Sequence, residues 1–207
     1  MRTYDLPSNA DHLFITDKSG VNWIPTVIKD MFIISEGYRQ AATIIYENLS
    51  RKDNFINKQF LACVMVFCFR HFIEVRIKEI TYFGKKEIFE QPEFKKSHDL
   101  VYLFHSYLKE FLYKYNPKCD QKQINNVKRL IKELNHIDPN SENFRYPVNQ
   151  SMEPSLSMPN FDVDNFKLVM DKLSNFFDLQ LEEIQIQQTY NETIERENTN
   201  SITPDTL

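Results

Sequence analysis

Only three glycines occur in the 207 residues of this chain. Glycine supplies the unusual backbone angles of tight hairpin turns, so a chain this poor in it favours long helices over a β-rich fold. The expected fold is all-α, an antiparallel bundle of about five helices. One domain is expected over residues 1–190, opening with an irregular arm at residues 1–25, and this length suffices for one well-buried core. The 17 Phe and 10 Tyr imply that much of the core volume is aromatic.

The net charge of −4 gives no global positive field to draw nucleic acid or an anionic membrane. The N-terminus lacks the apolar segment of a secretory signal. The longest unbroken apolar run, Phe60 to Phe69, is too short to span a bilayer core of roughly 30 Å as a helix. A buried helix of a soluble, cytoplasmic protein is expected, with no membrane partner. Cys63 and Cys68 fall on different faces of one helix, and with Cys119 they read as free thiols in a reducing compartment. No cofactor and no metal are expected.

Hydrophobic spacing divides the chain. Trp23 and Ile24 beside Pro25 look like an anchor ahead of a first helix from about Thr26 to Leu49, in which Gly37 and Ala41-Ala42 would let another helix approach. A second helix should run from Phe55 to about Phe83, with Gly84 placed to stop it and a charged connection following. Ser97 is the expected N-cap of a third helix, whose stripe is Leu100, Leu103, Phe104, Tyr107, Leu108, Phe111 and Leu112. Asn116-Pro117 ends it, and a fourth helix spans about Asp120 to His136 before a turn at Asp138–Ser141. The stretch Phe144 to Asn160 is expected to be an ordered loop across one end of the bundle. A last helix is expected from about Val163 to Gln187, and a disordered polar tail over residues 191–207.

Chemistry concentrates just past the apolar run. Arg70 and Glu74 are four apart, neighbours on a helix surface, and His71 and Glu74 are three apart. Ionisable groups there would cost roughly several kcal/mol each if buried unpaired, so they must satisfy one another or face a cleft. Two readings follow. The group is a polar cluster that pins helix packing, or an Arg/His pair acting on a phosphodiester, with Arg stabilising negative charge and His moving protons. His98 opens the third helix as a capping or cleft residue, and His105 reads as a rim residue. The loop with Phe144, Arg145, Tyr146 and Pro147 is either a lid with a paired arginine or an anion clamp at the cleft. No glycine-rich phosphate loop, G-x-S-x-G, paired-cysteine zinc motif or HExxH is present.

An ordered set of short strings resembles a family within the HEPN superfamily of helical bundles. It comprises Trp23 and Pro25, then Glu36-Gly37-Tyr38-Arg39-Gln40-Ala41-Ala42, then Phe69-Arg70-His71-Phe72-Ile73-Glu74 with Lys78. His98-Asp99-Leu100, Ile137-Asp138-Pro139 and Phe144-Arg145-Tyr146-Pro147 complete it. The resemblance implies an antiparallel, often dimeric bundle from a prokaryotic defence or toxin–antitoxin system. It further implies a homodimer with an RNA or protein partner, acting as a metal-independent ribonuclease or as a non-catalytic interaction module. Arg70, His71, Glu74, His98 and Arg145 are then the expected catalytic residues. The ribonuclease motif of that superfamily, R-x(4–6)-H, has one formal match in Arg129 and His136, where apolar Leu130 follows the arginine.

Overall fold

The computed structural model describes residues 30–50, 55–86, 96–116, 119–156 and 160–200. The N-terminal arm with Trp23, Ile24 and Pro25, the expected helix start at Thr26, and residues 51–54, 87–95, 117–118, 157–159 and 201–207 lie outside the described residues. The described chain is all-α, as expected: α1 (Met31–Ser50), α2 (Phe55–Lys86), α3 (Leu100–Tyr107), α4 (Tyr113–Tyr115), α5 (Gln121–Ile137) and α6 (Val163–Asn200). A π-helical turn, Leu108–Leu112, joins α3 to α4, so the three form one continuous rod and the bundle has five rods.

Local sequence explains most of the ends. Asp120 caps α5 by accepting the backbone N–H groups of Lys122 and Gln123. Asp162 does the same for Asp164 and Asn165 at the head of α6. At α3 the N-cap is Asp99, whose carboxylate accepts the Tyr102 N–H, and not Ser97. The Ser97 hydroxyl instead accepts the Asp99 N–H at 3.1 Å, one step outside the helix.

Two glycines act differently from their expected roles. Gly84 does not stop α2, which continues to Lys86. A Cβ there would fall 2.5 Å from the Phe111 ring, so the missing side chain is what lets Phe111 seat against α2. At Gly37 a Cβ would meet nothing within 4 Å, and the fully buried Ala42 provides the close approach on α1.

The direction of each rod follows from its partners. Ser35 meets Glu79, and Tyr38 meets His71, so α1 and α2 are antiparallel. Leu100 N–H bonds to Asn135, and Cys119 lies near Tyr107, so α3 and α5 are antiparallel as well. However, His98 sits beside Glu74 and Phe111 beside Gly84, which makes α2 and α3 parallel neighbours. Phe166 against Phe69, and Asp178 near Arg76, set α6 parallel to α2 too. The expected antiparallel order therefore holds for two pairs, while α2, α3 and α6 share one direction.

The core is aromatic, as the composition implies. Phe104 packs edge-on against Phe176 and Phe177, and Tyr107 is fully buried with its hydroxyl donating to Gln180 at 2.6 Å. The buried stripe of α6 ends at Ile184. Beyond it the helix continues to Asn200, which corrects the expected boundary at Asn191. Exposed Gln187–Asn191 and Glu192–Arg196 contacts at i,i+4 spacing accompany that extension. No helix among the described residues is long and apolar enough to cross a membrane.

Candidate functional site

Arg70 is not a surface residue: its side chain is 0% exposed, and Glu74 beside it is 2% exposed. Full burial of an arginine demands partners for its donors, and the fold supplies them. Nη1 donates to Glu74 at 2.6 Å, Nη2 to the His98 carbonyl at 2.6 Å, and Nε to the Asp138 carbonyl at 3.2 Å. One guanidinium thus ties the segment before α3 and the segment after α5 onto α2. Asp138 is also fully buried; its Oδ1 accepts the N–H groups of Glu142 and Asn143, while Oδ2 lies 3.4 Å from Arg70 Nε.

Glu74 is the hub. Its Oε1 accepts Lys78 Nζ at 2.7 Å and stands 3.0 Å from His98 Nδ1. Burial alone would push this carboxyl up, but Lys78 and Arg70 outweigh it and hold it below the usual range, so it is ionised at neutral pH. The His98 side chain is 62% exposed. With Nδ1 on the carboxylate, the opposite ring nitrogen, Nε2, is left for other partners. A carboxylate that orients an imidazole while its other nitrogen stays free is a workable proton-transfer pair.

The face of α2 that carries Glu74 continues in both directions through Phe67, His71 and Lys78. His71 is not held by Glu74, which corrects the expected pairing. Its ring instead meets Tyr38 edge-on at 4.5 Å and stacks on Phe67 at 5.6 Å, and its buried Nδ1 has no hydrogen-bond partner. Burial, ahead of the opposing charge of Glu74, pushes this imidazole below its ordinary value, so it is neutral at pH 7. Arg145 lies at the Phe67 end of this face. Its guanidinium rests over Phe67 at 5.7 Å and Tyr146 at 5.4 Å, and its Nε donates to the Ser141 carbonyl at 2.6 Å. It forms no ion pair among the described residues. Ser141 adopts a positive φ of 61° in the turn that aims this loop.

The structure thus brings Arg70, Glu74 and His98 into contact, sets His71 on the same face through aromatic packing, and adds Arg145 at its end. It leaves Arg129 and His136 apart from them, exposed on α5, where Arg129 pairs with Glu133 at 3.3 Å. His105 is exposed on α3. Asp138 is the member of the cluster that sequence reasoning did not single out. Its signal is the Asp-Pro at the end of α5, which reads as a turn and as part of the resembling strings but not as a site residue. Among the described residues no group of His, Cys, Asp and Glu is arranged to hold a metal, and all three cysteines are free.

A second buried ionic network also escaped the sequence. Arg76, 0% exposed, pairs with Glu36 of α1, with Glu79 at 2.9 Å and with Asp178 of α6 at 3.6 Å, between the rings of Phe32 and Phe72. Arg39 bridges Glu36 at 2.5 Å and Asp178 at 2.7 Å. Burial pushes the Glu79 carboxyl up, against the opposing pull of Arg76. An apolar groove of about 350 Å³ between α5 and α6, floored by Val66 and lined by Leu134, Phe166 and Met170, lies apart from both networks. Comparison with family models, curated proteins and solved structures finds no match to this chain.

Proposed function

We propose that this chain is a HEPN-like helical protein of a prokaryotic defence or toxin–antitoxin system, and that it acts on RNA as a metal-independent ribonuclease. The observation that carries the reading is the open His98 imidazole seated on the buried Glu74 carboxylate, on the same α2 face as the Arg145 guanidinium, which has no ion-pair partner among the described residues. Phe67 and Glu74 are two turns apart, about 10 Å along the helix axis. That distance leaves room for a sugar–phosphate unit between a phosphate held by Arg145 and the imidazole. In this assignment Arg70, Asp138 and Lys78 position Glu74, Glu74 orients His98, and neutral His71 walls the site. The 2′-oxygen of RNA forms a bond to phosphorus as the P–O5′ bond breaks; His98 takes the 2′ proton and, as imidazolium, gives it to the departing O5′.

Cleavage of a single-stranded RNA by the wild type, lost in both His98→Ala and Arg145→Ala while their helical melting profiles stay native, is the expected result. No cleavage by any of the three proteins would sink the reading.

A second reading, a non-catalytic interaction module, is favoured by one set of observations. Arg70, Glu74 and Asp138 are buried as a structural cluster would be. In addition, α1 exposes Phe32, Ile33 and Ile34, and the α6 extension exposes Ile186, Tyr190 and Ile194 at four-residue steps. Such faces suit a protein partner or the homodimer implied by the resemblance.

A further inference from the structure

We infer that the outer face of α5 is the surface along which a single RNA strand lies as it leaves the His98–Arg145 site, an inference that rests on the RNA-directed reading. The chain as a whole is acidic, with a net charge of −4. Against that background α5 carries Lys122, Lys128, Arg129 and Lys132 and a single acid, Glu133. Its buried side is Ile124, Val127, Ile131 and Leu134. At 100° per residue Lys122, Arg129 and Lys132, together with Asn125 and His136, fall on the opposite side and are exposed, and the half-buried Lys128 flanks them.

Lys122, Lys128 and Lys132 make no ion pair among the described residues. Arg129 pairs with Glu133, and with both side chains about two-thirds exposed that pair contributes little. The balance on α6 is the reverse: Asp171, Asp178, Glu182, Glu183, Glu192 and Glu197 outnumber Lys167, Lys172 and Arg196. A polyanion is repelled by one helix and attracted by the other.

The position of the face gives it a purpose. α5 ends against the candidate site: Asn135 accepts the Leu100 N–H, two residues past His98, and Asp138 accepts from Arg70. From Lys132 back to Lys122 the cations extend about 15 Å along the helix. A phosphate backbone leaving Arg145 therefore has cations on α5 to follow. The formal Arg129–His136 motif acquires a role here as phosphate contact, separate from the chemistry.

The test is binding of a short, uncleavable 2′-O-methylated RNA strand across a salt series. The triple variant Lys128→Gln/Arg129→Gln/Lys132→Gln is expected to bind about 100-fold more weakly than wild type near 0.1 M salt. Its slope of log K against log salt should flatten by about 2, as the loss of three phosphate contacts requires. A control with exposed lysines removed elsewhere, Lys109→Gln/Lys172→Gln, should bind as the wild type does. Equal affinity and slope for triple variant and wild type would overturn the inference, while leaving the proposed function intact if His98→Ala still abolishes cleavage. Absence of RNA binding by the wild type would remove both. Tighter binding to anionic vesicles than to RNA would reassign the face to a membrane surface and overturn the inference.

Discussion

Two buried arginines, Arg70 and Arg76, lie six residues apart on α2 and solve the same electrostatic problem in different ways. Arg70 spends two of its three hydrogen bonds on backbone carbonyls, those of His98 and Asp138, and one on Glu74. Its network then opens to solvent through His98. Arg76 is paired only with carboxylates, from α1, α2 and α6, and is closed over by Phe32 and Phe72. The first arrangement pins loops and presents an imidazole; the second clamps three helices. A buried ion pair by itself says little about function. What separates the two is that the first carries a largely exposed imidazole and the second does not.

The largest expected effect tests the clamp. Arg76→Ala leaves the buried Glu79 carboxyl with only the Ser35 hydroxyl, while Arg39 still holds Glu36 and Asp178, and should cost about 3–5 kcal/mol in urea unfolding. Arg70→Ala should cost less, because Glu74 keeps Lys78 and His98 as partners. An equal loss in the two variants would erase the distinction.

A smaller effect tests the opposite shifts of the two glutamates. Glu74 is held below its ordinary value of 4.5, so its contribution is present above that pH and lost as pH falls through the folded value. Glu79 is raised above 4.5, so its contribution is present below that pH and lost as pH rises through the folded value. Glu74→Gln should therefore lose about 1–2 kcal/mol at pH 7, with the deficit closing in acid. Glu79→Gln should keep or gain stability at pH 7. Stability curves between acid and neutral pH that run parallel for the two variants would contradict these assignments.

The smallest effect sharpens the contrast most. His98 is largely exposed, so His98→Ala should leave the unfolding midpoint within about 0.5 kcal/mol of wild type. A large loss of stability would make His98 a structural member of the Arg70 cluster.

The helices were largely legible in the sequence, because a 3.6-residue period and capping side chains are local signals. The head of α5 at Asp120 and the head of α6 at Val163 are such cases. Gly84 was misread because its reason lies on Phe111, in another rod. The end of α6 was misread because polar composition signals disorder only where nothing local sustains a helix. In the site, Arg70 and Glu74 were legible through their i,i+4 spacing beside an apolar run, and Arg145 through its unusual loop. Asp138 was not, since its partner is 68 residues away. Nor was the Arg76 network: Glu36 and Asp178 come from helices at opposite ends of the chain, and no local pattern links them.

The shared direction of α2 and α3 also has a consequence during synthesis. Two parallel neighbours cannot close as a hairpin, and the last side of α2 is covered only by α6. When α2 is complete at Lys86, Asp178 and Phe176 are still about 90 residues from being made. At 5–20 residues per second that interval is roughly 5–20 s. Throughout it Phe69, Phe72 and the charge of Arg76 have only α1 and the incoming α3 and α5 for cover. A nascent chain of this design is a ready client for chaperones until its final helix arrives.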